Sequence, residues 1–193
     1  EKYFMYLTNI PMKENERIQP LYSILGNDKL IENEMPISGY QGNIPVRVGN
    51  DAYTHIQNDV YGQILLAILP LYLDERFKTD IGELSDQLLE NIIAKMELTI
   101  DEPDAGIWEF RTIANHHTYT NLFQWAGAMA AYKVARLHKN KSLEKRAKII
   151  MEKAAAWIEK AYIPELNAYA QGVGNKAMDA STLQLIMMNY IPH

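Results

Sequence analysis

Two consecutive stretches decide the fold: residues 119–138, YTNLFQWAGAMAAYKVARLH, and residues 142–160, SLEKRAKIIMEKAAAWIEK. The first is rich in Ala, Met and aromatic residues and poor in charge. The second carries an apolar stripe at helical spacing and a strongly basic face opposite to it. A helix that is apolar on most sides is buried, whereas an amphipathic helix keeps one face in water. The two stretches therefore predict an inner helix followed by an outer helix.

The same alternation is repeated along the chain. Apolar residues at helical spacing predict a poorly charged helix over residues 51–73, a charged amphipathic helix over residues 79–98 and another poorly charged helix over residues 178–190. The poorly charged helices start roughly 60 to 70 residues apart, which indicates repeated helical hairpins. Stacked hairpins of this kind build either an α-solenoid or a closed α/α toroid. The predicted fold class is therefore all-α.

Local signals refine the ends of these helices. Asn50 or Asp51 is predicted to cap the first helix, and Pro70 is predicted to end or kink it. Two segments near the N-terminus, residues 3–7 and residues 17–25, are ambiguous between helix and loop.

The composition bounds the function of the chain. Its 193 residues form one domain by size, and 48% of them are hydrophobic, so the chain can bury a sizeable core. The net charge of -5 argues against a nucleic-acid surface, which needs clustered Lys and Arg. The absence of cysteine excludes disulfides and thiolate chemistry and suits a cytosolic protein. No apolar run is long enough to predict a membrane span.

Long irregular segments precede the poorly charged helices. They are expected to gather at one end of the hairpins, where functional residues usually lie. The first of them, residues 35–50, reads MPISGYQGNIPVRVGN and contains Arg47 in an apolar setting. A guanidinium there can donate several hydrogen bonds to a ligand. Alternatively, Arg47 pairs with a carboxylate such as Asp59 in the next helix.

The second long segment opens with residues 103–111, PDAGIWEFR, which place Glu109 between a tryptophan and a phenylalanine. Burial among these rings would raise the pKa of the Glu109 carboxyl, and a protonated acid can give a proton to a leaving group. Alternatively, an ion pair of Glu109 with Arg111 or Arg47 only holds the loop in place. Composition alone leaves both interpretations open.

The pair His116 and His117 invites a metal interpretation. Adjacent residues point in different directions, and no HExxH motif or nearby acid completes a set of ligands. No nucleophile elbow or dinucleotide-binding fingerprint is present either. The sequence therefore predicts neither a metal site nor a cofactor.

Four stretches, in order, resemble a known family. They are SGYQGNIPVRVGNDAYTHIQNDVYGQIL, PDAGIWEFR, HTYTNLFQWAGAMAA and NAYAQGVGNKAMDASTLQLIMMNYIP. Together they resemble the glycoside hydrolase family 15 enzymes, which include glucoamylases, glucodextranases and bacterial trehalases. The bacterial branch carries segments like GYxGSxPVRxGNxAxxQxQxDVYG and DxGIWExR, and a later loop and helix with LDAS. The resemblance covers about residues 22–192.

The resemblance implies part of an (α/α)6 barrel of inner and outer helices, in agreement with the alternation described above. It also implies inverting hydrolysis of terminal α-glucosidic bonds, in which one carboxylic acid protonates the glycosidic oxygen and a second carboxylate activates water. The family's general acid lies in its GIWE motif and matches Glu109. The implied substrate-binding residues are Trp108, Arg47, Arg111 and Tyr40, and the implied partner is an α-linked glucoside or oligosaccharide.

The chain departs from the family pattern at both ends. The family's general base lies after the last helix predicted here, and an Arg-Asp pair that holds the non-reducing glucose lies before Glu1. A full barrel needs twelve helices, and five are predicted. Residues 1–193 are therefore expected to be a single partial catalytic domain, the middle of a barrel with truncated ends. Such a fragment is expected to be nearly inactive alone and to self-associate through exposed apolar surface.

Two alternatives belong to other functional classes. One is a non-catalytic barrel with a regulatory or carbohydrate-binding role, like the regulatory subunits of phosphorylase kinase. The other is a helical-repeat scaffold without a sugar site. The intact GIWEFR motif favours the enzyme, because a non-catalytic copy is free to lose the acid.

Overall fold

The structure is a computed structural model that describes residues 2–9, 17–77, 82–110 and 112–190. Over these ranges the chain is mainly helical, with two short antiparallel pairs of strands. The helices are α1 (Lys2–Asn9), α2 (Asp59–Leu73), α3 (Gly82–Thr99), α4 (Thr118–Leu137), α5 (Lys141–Glu159) and α6 (Gln184–Met187). The strands are β1 (Asn33–Met35), which pairs with β2 (Val46–Val48), and β3 (Tyr162–Ile163), which pairs with β4 (Ala168–Tyr169).

The inner helices α2 and α4 pack against each other, and α4 is buried on nearly all sides of its first three turns. The two backbones meet at Gly62 and Gly127. A Cβ on Gly62 would overlap the carbonyl oxygen of Phe123, and a Cβ on Gly127 would overlap the backbone of Gly62. Both helices begin at the same end of the molecule, because Gln124, near the start of α4, donates a hydrogen bond to the carbonyl of Asn58, directly before α2.

The outer helices α3 and α5 each keep one face in water. Asn140 caps α5 by accepting a hydrogen bond from the N–H of Leu143 at 3.0 Å. Arg146 on α5 forms ion pairs with Glu90 and with Glu97 on α3, the latter at 2.8 Å. Apolar side chains of inner and outer helices meet in one core. The predicted alternation, and with it the all-α fold class of helical hairpins, is confirmed.

The start of the first inner helix differs from the prediction. The prediction begins it at residue 51, whereas α2 begins at Asp59. Asn50 does cap a helical segment, but that segment is the short 3₁₀ turn Asp51–Thr54. The side-chain oxygen of Asn50 accepts a hydrogen bond from the N–H of Ala52 at 2.9 Å. The chain then leaves the helical path, and the N–H of Asn58 reaches the carboxylate of Asp104 at 2.8 Å. A residue distant in sequence therefore fixes where α2 begins.

Other local predictions have mixed outcomes. Pro70 does not end the first helix, because α2 continues through it to Leu73, and the alternative prediction that Pro70 kinks the helix stays a prediction. The ambiguous residues 3–7 lie within α1, whereas residues 17–25 are not helical. The last helix is shorter than predicted, since a 3₁₀ turn over Ala180–Leu183 leads into α6. In the described part of the chain, none of the helices has the length and apolar character that crossing a bilayer needs.

Candidate active site

The loop over residues 103–110, which we call the acid loop, is tied at its base to neighbouring segments. Asp104 and Asn115 exchange both backbone hydrogen bonds, each at 3.0 Å. The N–H of Ala105 donates to the carbonyl of Ile56 at 2.9 Å. The acid loop precedes α4 and Ile56 precedes α2, so both segments are held together at the end where the inner helices begin.

The tip of the acid loop is a tight turn that presents Glu109. The N–H of Phe110 donates to the carbonyl of Ala105, and the N–H of Glu109 donates to the carbonyl of Gly106, both at 3.1 Å. Glu109 has a φ of 53°, in the left-handed region that residues other than glycine rarely adopt. Such backbone costs about 1–3 kcal/mol and persists where the surroundings impose it. The turn therefore fixes the position of the acid.

The prediction that Glu109 is buried among aromatic rings is wrong for the described chain. Its side chain is exposed, and the preceding Trp108 is 55% exposed. The turn is the reason, because its tip projects from the fold while Phe110 returns to pack on the ring of His117. Within the described ranges, the Glu109 carboxylate accepts no hydrogen bond and forms no ion pair.

The indole of Trp108 is anchored to another loop. Its Nε1–H donates to Oδ2 of Asp179 at 2.7 Å. Asp179 directly precedes the 3₁₀ turn Ala180–Leu183, and its Oδ1 accepts a hydrogen bond from the N–H of Ser181 at 2.7 Å. The segment before α6 therefore joins the segments before α2 and α4 at this site.

Asp104 is the buried acid of the acid loop and is 1% exposed. Its carboxyl accepts hydrogen bonds from the N–H of Asn58 at 2.8 Å, the N–H of Gly106 at 3.1 Å and the hydroxyl of Thr120 at 2.9 Å. Burial, with a smaller contribution from the charge of Asp59, raises the pKa of Asp104 to about 7 although the hydrogen bonds lower it. Asp104 thus connects the starts of both inner helices to the loop that carries Glu109.

A second buried acid, Asp59, begins α2. It accepts a hydrogen bond from Gln63, while its Oδ1 is buried without a partner in the described part of the chain. Burial raises the pKa of Asp59 above its ordinary value. The charge of Asp59 also raises the pKa of Asp104, so the protonation of Asp104 depends on whether Asp59 is ionised.

These acids predict a pH-dependent stability. Asp104 holds its proton more tightly in the folded chain than in the unfolded chain. The contribution of Asp104 to the free energy of unfolding is therefore highest below about pH 4 and falls as the pH rises to about 7. The total fall is at most about 4 kcal/mol, from 1.36 kcal/mol per pKa unit. The variant Asp59→Asn removes the neighbouring charge, so its fall is expected to be smaller and to end at a lower pH.

Chemical unfolding of the full-length protein between about pH 4 and pH 8 measures this difference. The matched control is Asp28→Asn, which changes an exposed acid outside the network and is expected to follow the wild type. Superimposable profiles for Asp59→Asn and the wild type would contradict the coupling of the two acids.

The two histidines make different packing contacts. His117 is 5% exposed and stacks on Phe110, with ring centroids 5.8 Å apart. Burial lowers the pKa of His117, which favours the neutral ring. Its Nε2 lies 2.8 Å from the place of a Cβ on Gly106 and has no partner among the described residues.

His116 stacks on Trp157 of α5, with ring centroids 3.6 Å apart. In the described ranges, no group of three or more His, Asp or Glu side chains is placed to hold a metal ion.

The predicted sugar-binding residues of the first loop lie on a hairpin. Arg47 on β2 pairs with Glu32 at 3.0 Å and with Glu34 on β1 at 3.4 Å. The alternative that Arg47 pairs with a carboxylate is confirmed, but its partners are Glu32 and Glu34 and not Asp59, because β1 and the residue before it supply nearer carboxylates. Tyr40, in the same loop, is 83% exposed.

The structure brings only part of the predicted site together. Trp108 and Glu109 share the tip of the acid loop, whereas no hydrogen bond or ion pair between described residues links Arg47 or Tyr40 to them. The alternative ion pair of Glu109 with Arg47 is therefore not found. Arg111 lies outside the described residues, and its role stays a prediction.

A cleft of about 520 Å³ opens beside the acid loop. Thr54 and His55 line it from the segment before α2, and Asp104, Phe110 and Thr112 line it from the other side. A volume of this size is typical of small-molecule sites, and a ring face with a few hydroxyl and acidic groups suits a polar ligand. Phe110, the residue after Glu109, lines the cleft, whereas Glu109 and Trp108 are not among its lining residues.

Sequence reasoning missed two acids that organise this site, Asp104 and Asp179. Each stands in a motif quoted for the family resemblance, Asp104 in PDAGIWEFR and Asp179 in MDAS, so a signal was present. The signal could not assign their tasks, because the partners that define them, Asn58 and Trp108, are far away in sequence.

Comparisons with known proteins agree on one family. The sequence model described as Glycosyl hydrolases family 15 matches residues 2–193. The chain is 33% identical over 191 residues to the protein named Trehalase of Thermoplasma acidophilum, covering 98% of this chain and 32% of that protein. It is 28% identical over 196 residues to Trehalase of Mycolicibacterium smegmatis, covering 100% of this chain and 29% of that protein. The chain spans about a third of the length of these relatives. No solved structure matches the chain.

Proposed function

Because the chain belongs to the glycosyl hydrolases of family 15, we propose that the protein carrying it hydrolyses an α-linked glucoside, with Glu109 as general acid. The observation that carries this proposal is the turn at the tip of the acid loop. It holds Glu109 in a left-handed backbone conformation, with a carboxyl that has no partner in the described chain, between the exposed Trp108 and Phe110, which lines the cleft. Strained backbone at an exposed acid favours a functional interpretation.

In the proposed reaction, Glu109 gives its proton to the glycosidic oxygen. The bond between that oxygen and C1 of the sugar breaks, and its electron pair stays on the oxygen. Water adds to C1 from the opposite face, and a second carboxylate takes the proton that this water loses. In inverting enzymes the two carboxyls lie about 6.5–9.5 Å apart, which leaves room for the water.

The second carboxylate is proposed to come from a part of the protein beyond residues 1–193. Asp104 is the buried acid nearest to Glu109 in sequence, and its oxygens are already occupied by two backbone N–H groups and a hydroxyl. This division of the carboxyls agrees with a chain that spans about a third of its relatives, and residues 1–193 are proposed to be the middle portion of a larger barrel.

We propose α,α-trehalose as the first candidate substrate, because the relatives compared above are named trehalases. Trp108 is the first candidate to contact the sugar, since its exposed ring lies next to Glu109. Arg47, Tyr40 and Arg111 are proposed to bind sugar hydroxyls once the rest of the barrel encloses the site.

The anomeric form of the products tests both substrate and mechanism. Both glycosidic bonds of trehalose are α, so inversion at one C1 yields β-glucose while the other glucose leaves with its α configuration. The full-length protein is therefore expected to release the two anomers in equal amounts at early times, as measured by proton NMR.

Release of α-glucose alone would show retention and contradict the mechanism. Hydrolysis of maltose or isomaltose but not of trehalose would contradict the proposed substrate and would not contradict the proposed mechanism. Failure to hydrolyse any of the three would favour the non-catalytic barrel.

A further inference from the structure

We propose that Asp179 is a positioning residue of this site, which fixes the indole of Trp108 and, through it, the turn that presents Glu109. The inference rests on the proposed function, because it concerns how the acid is presented to a substrate. The contact is the hydrogen bond of 2.7 Å from Nε1 of Trp108 to Oδ2 of Asp179, across 71 positions of sequence. It joins the acid loop to the segment before α6.

The carboxylate of Asp179 is itself held in place. Its Oδ1 accepts a hydrogen bond from the N–H of Ser181 at 2.7 Å, and its backbone carbonyl accepts a hydrogen bond from the hydroxyl of Thr182 at 2.7 Å. The two carboxylate oxygens therefore have separate tasks, one as cap of the 3₁₀ turn and the other as acceptor for the indole. An ionised acceptor makes a stronger hydrogen bond than a neutral one.

The charge state of Asp179 agrees with this division. Burial raises the pKa of Asp179, but the hydrogen bonds from Ser181 and Trp108 and the charge of His117 outweigh it, so the net pKa lies below its ordinary value. Asp179 is therefore ionised at neutral pH. Its carboxylate is then available as acceptor for the indole N–H of Trp108, which can only donate.

The hydrogen bond acts at the point where the acid loop has least support. The ring of Trp108 is 55% exposed, so packing restrains it weakly. Trp108 directly precedes Glu109, which has a left-handed φ of 53°. This conformation is strained, so a loop that is no longer held by Trp108 is expected to relax to a more favourable φ. Freeing the indole is therefore expected to let the turn relax and move the carboxyl away from the place where it meets a leaving group.

Two variants separate this task from capping. Asp179→Ser keeps a good capping residue before the 3₁₀ turn but offers an oxygen too near the backbone to reach the indole. Trp108→Phe keeps a ring and removes the N–H donor. Asn140→Ser, which exchanges the cap of α5 far from the acid loop, is the matched control.

The readout compares two substrates of the full-length protein. The preferred α-glucoside needs a proton on its leaving oxygen, whereas α-glucosyl fluoride loses fluoride with little help from an acid. Asp179→Ser is expected to lower kcat/KM about 10- to 100-fold on the glucoside and less than about threefold on the fluoride. In the Trp108→Phe background, Asp179→Ser is expected to cause less than about a twofold further loss. Asn140→Ser is expected to leave kcat/KM unchanged on both substrates.

Equal losses on the two substrates would overturn the inference, as would no loss or losses that multiply in the double variant. Glu109→Gln, measured alongside, separates this failure from that of the proposed function. If Glu109→Gln discriminates between the substrates and Asp179→Ser does not, only the role of Asp179 is wrong. If Glu109→Gln does not discriminate, the general-acid assignment itself is wrong.

Discussion

Glu109→Gln is expected to lower kcat of the full-length protein on its preferred α-glucoside by about 100-fold or more. Glutamine has nearly the shape of glutamic acid but no acidic proton to give, so the glycosidic oxygen would leave with its negative charge uncompensated. The backbone cost of the left-handed turn at this position is about the same for both residues, because neither is glycine. The substitution therefore tests the chemistry of the carboxyl with little change of the fold.

The matched control is Glu165→Gln, which changes an exposed glutamate in the short 3₁₀ turn Pro164–Leu166. It is expected to keep the wild-type kcat, and both variants are expected to keep the wild-type melting temperature. Equal kcat for Glu109→Gln and the wild type would remove Glu109 from the reaction. A matching loss in Glu165→Gln would show that the effect is not specific to the acid loop.

The helical architecture could be predicted from sequence because it depends on short-range periodicity. The apolar stretch of α4 and the amphipathic stretch of α5 each carry their own burial pattern, and the structure places both helices within a residue of the predicted bounds. The start of α2 could not be predicted in the same way. It depends on Asp104, a residue that no window around Asn58 contains.

The burial of the two acids in PDAGIWEFR is the reverse of what their neighbours in sequence indicate. Glu109 stands between aromatic residues and is exposed, because it occupies the tip of a tight turn. Asp104 stands beside proline and alanine and is buried, because the starts of α2 and α4 close over it through Asn58 and Thr120. Burial is set by which segments meet in space, and only the hydrogen-bond partners from those segments reveal it.

The chemistry of the site was only partly predictable for the same physical reason. The identity of the candidate acid follows from a local motif, but its support comes from the separate segments before α2, α4 and α6. In a fold of parallel inner helices, the loops before those helices meet at one end, and long-range pairs such as Trp108 with Asp179 form there. A substitution that moves α2 away from α4 is therefore expected to disturb the site as well as the core.

The variants Gly62→Ala and Gly127→Ala are expected to destabilise the full-length protein by about 2–4 kcal/mol each. In an isolated helix, Gly to Ala stabilises by about 1 kcal/mol, so propensity alone predicts the opposite sign. The loss is expected because the added Cβ would overlap backbone atoms of the facing helix, and backbone cannot turn aside as a flexible side chain can. Chemical unfolding of each variant against the wild type is the measurement.

Gly174→Ala provides the comparison, because a Cβ there would have no atom within 4 Å and would cost only the strain of a φ of +73°, about 1 kcal/mol. A Gly62→Ala protein as stable as the wild type, or more stable, would contradict the close backbone contact of α2 and α4. If the contact is as the structure shows it, separation of the helices also pulls Asn58 and Thr120 away from the carboxyl of Asp104. Activity should then fall together with stability, since the base of the acid loop depends on both inner helices remaining at this distance.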